Sequence, residues 1–199
     1  MMLPELQMKN KLNKLLIFVI LAVASLSLLF SLTSANAEIK LTPPLNWQPA
    51  PNNNSTAVKL LQNSTKSVFE IIKAPNELSF PLLSLGPMVA QAIADEGLLE
   101  YADQISFGHS NYGYRYFINL SSPSQLLNSS NPLINKHGLL SQLSQDYDVP
   151  FKGMLILTEK KGDLYAIIFL SPHAKFDSVY NQIKPMLDSI ELSNSTSLA

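Results

Sequence analysis

The run FKGMLILTEKKGDLYAIIFLSP, residues 151 to 172, followed by a helix with one apolar stripe, leaves this chain few folds to choose from. Met154 to Thr158 and Leu164 to Leu170 read as two apolar strands. Between them Lys160-Lys161-Gly162-Asp163 forms a turn, and Gly162 supplies the positive φ that a tight turn needs. Ser171-Pro172 then opens a helix, with serine placed as cap and proline at the first position. Its apolar residues are Phe176, Val179, Tyr180, Ile183, Leu187 and Ile190, which recur at helical spacing and trace one stripe. Pro185 removes the backbone bond to the Asn181 carbonyl, so a bend is expected there. That stripe needs an apolar partner, so the helix must lie across the sheet, which predicts an α+β fold.

The preceding residues extend the same pattern. Ala57 to Leu61 and Ser67 to Ile72 flank the polar turn 63 to 66 and predict an early hairpin. Ser84 to Asp103 is read as a helix, with Leu85, Val89, Ala92, Ile93, Leu99 and Ala102 mainly on one face. Ile105 to His109 and Tyr112 to Leu120 predict two more strands turned at Ser110-Asn111. Residues 121 to 148 are polar, with a short helix expected around Gly138 to Gln145. Trp47, in a proline-rich loop, reads as a plug over one end of the core. The expected architecture is an antiparallel sheet sandwiched by helices.

Residues 1 to 37 have the layout of a secretory signal. Lys9, Lys11 and Lys14 precede an uncharged apolar run, and Ala35 and Ala37 form an A-x-A exit. Cleavage after Ala37 makes Glu38 the first mature residue. The rival is an uncleaved anchor that contacts the membrane through residues 15 to 32, short for the roughly 20 apolar residues that spanning takes. Either reading puts residues 38 to 192, one α+β domain, outside the cytoplasm, with 193 to 199 as a disordered tail. The sequence has no cysteine, which excludes disulfides, thiol catalysis and a bacterial lipoprotein anchor. Removing Lys9, Lys11, Lys14 and Glu5 leaves the remainder slightly acidic, which argues against a nucleic-acid partner. Sequons at Asn53, Asn54, Asn63, Asn119, Asn128 and Asn194 are candidate glycosylation acceptors in a glycosylating host.

Residues able to carry chemistry are few. Asp95, Glu96, Glu100 and Asp103 are the densest acidic group, and three of them would share a helix face. Calcium prefers several oxygen ligands drawn from irregular backbone, so a solvated face is the plainer reading, with calcium a weak alternative and no cofactor expected. His109, His137 and His173 have no metal-ligand spacing, so no metal site is assigned. No G-x-S-x-G, S-x-x-K or phosphate-binding glycine loop occurs. In NYGYRYF, residues 111 to 117, Tyr112, Tyr114 and Tyr116 fall on one face of a strand. The chain's one arginine, Arg115, points the other way with Gly113 and Phe117. Tyrosines in a row stack on a sugar or aromatic ligand or cover a sheet edge, and an arginine can clamp a carboxylate. Tyr112, Tyr114, Arg115 and Tyr116 are therefore the candidate binding surface.

Three stretches resemble the PsbP-like family, named after an extrinsic protein of the photosystem II oxygen-evolving complex. They are IKLTPPLNW at 39 to 47, MLILTEKKGDLYAIIFLSP in the late hairpin, and IKPMLDSIEL at 183 to 192. Segment 74 to 83 departs from the family in lacking a glycine-rich turn, and 121 to 148 departs in being Asn/Ser-rich. The resemblance implies an antiparallel sheet between helices and a role as an extrinsic binding or assembly module, often beside membranes; it transfers no metal ligand. The leading expectation is a non-enzymatic module with a protein partner at the outer face of a membrane. A small-molecule or lipid carrier, with residues 78 to 89 lining its pocket, and a hydrolase with a convergent site are the alternatives.

Overall fold

The computed structural model describes residues 39–50, 56–76, 81–109, 111–121 and 149–192. The signal segment, the tail, the helix expected around 138 to 145, His137, and the sequons at Asn53, Asn54, Asn128 and Asn194 lie outside the described residues. In chain order the elements are β1 (Ile39–Lys40), β2 (Gln48–Pro49), β3 (Thr56–Gln62), β4 (Ser67–Pro75) and α1 (Leu82–Asp95). They continue with β5 (Leu99–Phe107), β6 (Asn111–Leu120), β7 (Phe151–Lys160), β8 (Asp163–Pro172), α2 (Phe176–Asp188) and β9 (Glu191–Leu192). A seven-stranded sheet runs β2-β3-β4-β8-β7-β6-β5, and β1 pairs separately with β9. Every pairing is antiparallel. The fold is α+β, as the sequence predicts.

The late hairpin forms where expected and is longer than the apolar residues alone suggest. Lys161 and Gly162 both take positive φ, 50° and 84°, in the two-residue turn between β7 and β8. Such a turn matches the right-handed twist of the strands it joins. Alternation then sorts the side chains of the sheet. Phe69, Ile71, Met154, Ile156, Ile167 and Phe169 share one face and are buried with Phe176, Val179, Ile183, Met186, Leu187 and Ile190 from α2 and its exit. Trp47 joins this cluster and packs on Phe169, as a plug over the core. On the other face Tyr114, Tyr116, Leu157 and Leu164 meet Leu85 and Val89 of α1. One described helix therefore covers each face.

Three sequence expectations are corrected. The first helix does not run to Asp103; it ends at Asp95. Gly97, at φ 70°, donates its N–H to the Ala94 carbonyl, and Leu98 donates to Ile93. This is a Schellman closure, in which a left-handed glycine takes up the last free carbonyls. Leu99 to Asp103 is thereby released to begin β5. The second correction concerns Ser171, which caps no helix. β8 continues through Pro172, a 3-10 turn spans His173–Lys175, and α2 starts at Phe176 without a side-chain cap. The Ser171 hydroxyl instead accepts a hydrogen bond from Ser67 at 2.9 Å. The third is the turn after β5, which begins at Gly108 rather than at Ser110.

Candidate binding surface

β6 carries the predicted cluster, and its position decides what each residue meets. It lies between β5 and β7, so both of its edges are paired. On the α1 face, Tyr116 is fully buried and its hydroxyl donates to the Gly86 carbonyl at 2.9 Å. Burial pushes its phenol well above the usual range, with Tyr114 adding to the effect. Tyr114 is buried too, and its hydroxyl accepts from Gln104 Nε2 at 2.8 Å. Its ring fills the space that a side chain at Gly86 would need. Tyr112 is 41% exposed and stands edge-on to Tyr114, with ring centroids 6.2 Å apart. Of the three tyrosines, then, Tyr112 is the one that meets solvent.

Arg115 points to the α2 face. Its Nε donates to Asp103 Oδ1 at 2.9 Å and its Nη2 to Oδ2, a two-point fork across β5 and β6. Nη1 donates to the Tyr180 hydroxyl at 3.0 Å. The guanidinium lies 5.1 Å from the Phe117 centroid. Its hydrogen bonds to Asp103 raise its pKa, while burial opposes them. The carboxylate that this arginine clamps is thus its own neighbour's. Around the fork lies an aromatic floor: Phe117 stacks near Tyr101 and meets Tyr180 edge-on at 5.7 Å. Lys152 Nζ sits 5.2 Å from the Phe176 centroid and bonds Glu100 Oε2 at 2.7 Å. Lys184 Nζ lies 5.1 Å from the Tyr180 centroid. Tyr101 is 53% exposed at the sheet edge.

The acidic group does not share a helix face. Glu100 and Asp103 are on β5, each in an ion pair, while Asp95 and Glu96 remain at the end of α1. Among the described residues, no group of three or more His, Cys, Asp or Glu is placed to hold a metal ion. His109 is exposed, with Nδ1 3.6 Å from Glu191 Oε1, and His173 is exposed on the 3-10 turn. Asn63 and Asn119 are exposed sequons, on a turn and on β6 respectively. Sequence reasoning missed Tyr101, Asp103, Lys152 and Tyr180 as the surroundings of Arg115. The available signal was Gly97: a helix stopped there turns Tyr101 and Asp103 into strand positions facing the same way as Arg115. It also missed a polar network joining Gln182, Gln62, Thr65, Ser67 and Ser171, for which the sequence carries no motif.

An antiparallel sheet with a helix on each face and an aromatic, cation-bearing surface beside one edge strand defines the class: an α+β domain. The chain matches no family model and none of the curated proteins. Among solved structures it is similar to LpqN, involved in cell envelope biogenesis of Mycobacterium tuberculosis, with a TM-score of 0.54 and 6% identity over 81% of this chain and 87% of that one. It is similar to PsbP of the cyanobacterium Synechocystis, with a TM-score of 0.46 and 10% identity over 81% and 95%. It is similar to the Ran-binding protein Mog1p of Saccharomyces cerevisiae, with a TM-score of 0.48 and 8% identity over 81% and 93%. At these identities the likenesses concern the fold alone. PsbP, the protein that the sequence resemblance names, is thus met among the similar structures.

Proposed function

We propose that this chain is an exported, non-enzymatic binding or assembly module of PsbP-like type that engages a protein partner at the outer face of a membrane. The observation that carries this reading is the surface formed by Tyr101, Arg115, Phe117, Tyr180 and Lys152, with Tyr112 on the other side of the same strands. Tyrosine and arginine, held rigid by their neighbours, are the residue types that dominate protein contacts. Arg115 keeps guanidinium N–H groups beyond the three bonds it makes, and an arginine has five such donors. Export is supported by the lysines, apolar run and A-x-A exit of residues 1 to 37.

The test is crosslinking of the tagged full chain on membranes of its own host, with Tyr101→Ala/Tyr112→Ala as the comparison. Both side chains are exposed, so the double variant should fold normally. One crosslinked partner, held by the wild type and weakened at least tenfold in the variant, is the expected result. Equal capture by both proteins counts against this surface. A chain recovered in the cytoplasm with Met1 intact counts against the assigned place of action.

A further inference from the structure

We infer that the surface at Arg115 takes an acidic peptide: an extended segment of the protein partner that sets a carboxylate on Arg115 and, two residues away, an aromatic side chain on Tyr101. The inference rests on the binding role proposed above and gives that role its chemistry. Arg115 is only partly engaged. Its Nε and Nη2 hold Asp103 and its Nη1 donates to the Tyr180 hydroxyl, which uses three of five N–H donors. Among the described residues that leaves one N–H on Nη1 and one on Nη2, and the side chain is 23% exposed. A carboxylate can span those two terminal nitrogens as Asp103 spans Nε and Nη2. The Tyr180 hydroxyl accepts from Nη1, so its own proton can be donated to the same carboxylate.

The charges around this arginine select an acid. Arg115 and Lys152 are each matched by one carboxylate, Asp103 and Glu100. Lys184 is exposed beside Tyr180 and makes no ion pair among the described residues. The surface therefore has a surplus positive charge, on a chain whose formal net charge is -1. A carboxylate that loses water here gains this charge and the spare donors in return. A neutral or basic ligand would cover those donors and leave them without acceptors.

Spacing selects a peptide over a free anion. Arg115 and Phe117 are two residues apart on the same face of β6, and Phe117 pairs in register with Tyr101. Residues two apart on a strand lie about 7 Å apart along it. Tyr101 is 53% exposed and stacks on Phe117 with ring centroids 6.4 Å apart, so it offers a flat apolar face beside the guanidinium. An extended peptide spaces its own residues i and i+2 alike, which matches an acid and an aromatic separated by one residue. A small anion would fill the first position and leave the second unused.

The chain holds a single arginine, so every guanidinium signal in an NMR spectrum of the nitrogen-labelled protein belongs to Arg115. The full chain, produced in a host that exports it, is titrated with the blocked peptide Ac-Gly-Glu-Ser-Tyr-Gly-NH2. The same peptide with glutamine in place of glutamate and sodium acetate are the comparisons. The acidic peptide should move the Arg115 signals and the Tyr101 amide, with a dissociation constant on the order of 1 mM. The glutamine peptide and acetate should each bind about tenfold more weakly. Lys184→Gln, a change at an exposed position, should weaken the acidic peptide about threefold. Equal binding of the glutamine peptide overturns the acid, and equal binding of acetate overturns the peptide. Arg115 signals that stay in place up to about 10 mM acidic peptide overturn the site itself. Crosslinking on host membranes separates this inference from the binding role. A partner captured equally by wild type and Arg115→Lys, but lost by Tyr101→Ala/Tyr112→Ala, keeps the binding role and sinks the acidic peptide. A peptide bound as expected with no partner captured keeps the acidic-peptide site and sinks the binding role.

Discussion

At Gly86 and Tyr114 helix and sheet meet closely. A Cβ at residue 86 would run into the Tyr114 ring, which its Gln104 bond restrains from moving away. Gly86→Ala therefore opposes two effects. Helix propensity favours alanine by about 1 kcal/mol, while overpacking a fixed ring costs about 1–3 kcal/mol. We expect net destabilisation of about 1 kcal/mol in urea unfolding; a stabilised variant would show that the ring yields freely. The buried phenols make a separate prediction about pH. Tyr165 is pushed up to about 12 by burial and then by Asp163, from an ordinary value of 10.0, and Tyr116 is raised by burial too. A raised folded pKa means that the fold favours the neutral form. The contribution is complete below pH 10 and falls as the pH rises towards 12. Urea midpoints should drop between those values, and Tyr165→Phe should make that drop shallower. A profile identical to wild type would refute the assignment.

At the scale of elements, the β5–β6 joint is held by the Arg115 fork, and Arg115→Lys separates geometry from charge. Lysine keeps the positive charge and loses the planar two-point contact. With the pair about one-fifth exposed on each side, a loss of about 1 kcal/mol is expected in equilibrium unfolding, and an unchanged midpoint would reduce the fork to an incidental contact. This joint also shows where reading the sequence stops. The late hairpin, the early hairpin and the stripe of α2 were legible, because runs of apolar residues and turn glycines act locally. The faces of Tyr112, Tyr114, Tyr116 and Arg115 were legible too, since alternation needs only the strand. The partner of Arg115 was not, because Asp103 reaches it through a cross-strand register that exists only once α1 has closed at Gly97. Leu99 and Ala102 suited a helical stripe and a half-buried strand equally well, so the glycine between Glu96 and Leu98 was the deciding signal. Ser171 was misjudged for a related reason: its capping role and its bond to Ser67 compete, and the second depends on β4 lying beside β8.

The first and last described strands close the domain together. β1 pairs with β9, setting Ile39 opposite Leu192, and the Thr42 N–H donates to Ser189 Oγ at 2.9 Å. The Ile190 carbonyl accepts from the His109 N–H and from Asn111 Nδ2, which ties the β5–β6 turn to the same place. Ile39, Leu41 and Trp47 pack into the cluster that also holds β4, β7, β8 and α2. The strap from Ile39 to Trp47 is therefore part of the main core and has none of its own. If that is so, the strap cannot detach while the sheet survives. The chain's single tryptophan is in the strap, whereas far-ultraviolet circular dichroism reports mainly the sheet and helices. Trp47 fluorescence and circular dichroism should then give one superimposable urea transition, the mark of all-or-none unfolding. Removing Leu192 by Leu192→Ala should lower both midpoints together, by about 2–3 kcal/mol for a buried leucine, because the loss is felt by the whole core. A fluorescence change that precedes the dichroism change, in wild type or in this variant, would mean that the ends form a separate, weaker unit and that the sheet and its two helices hold together without them.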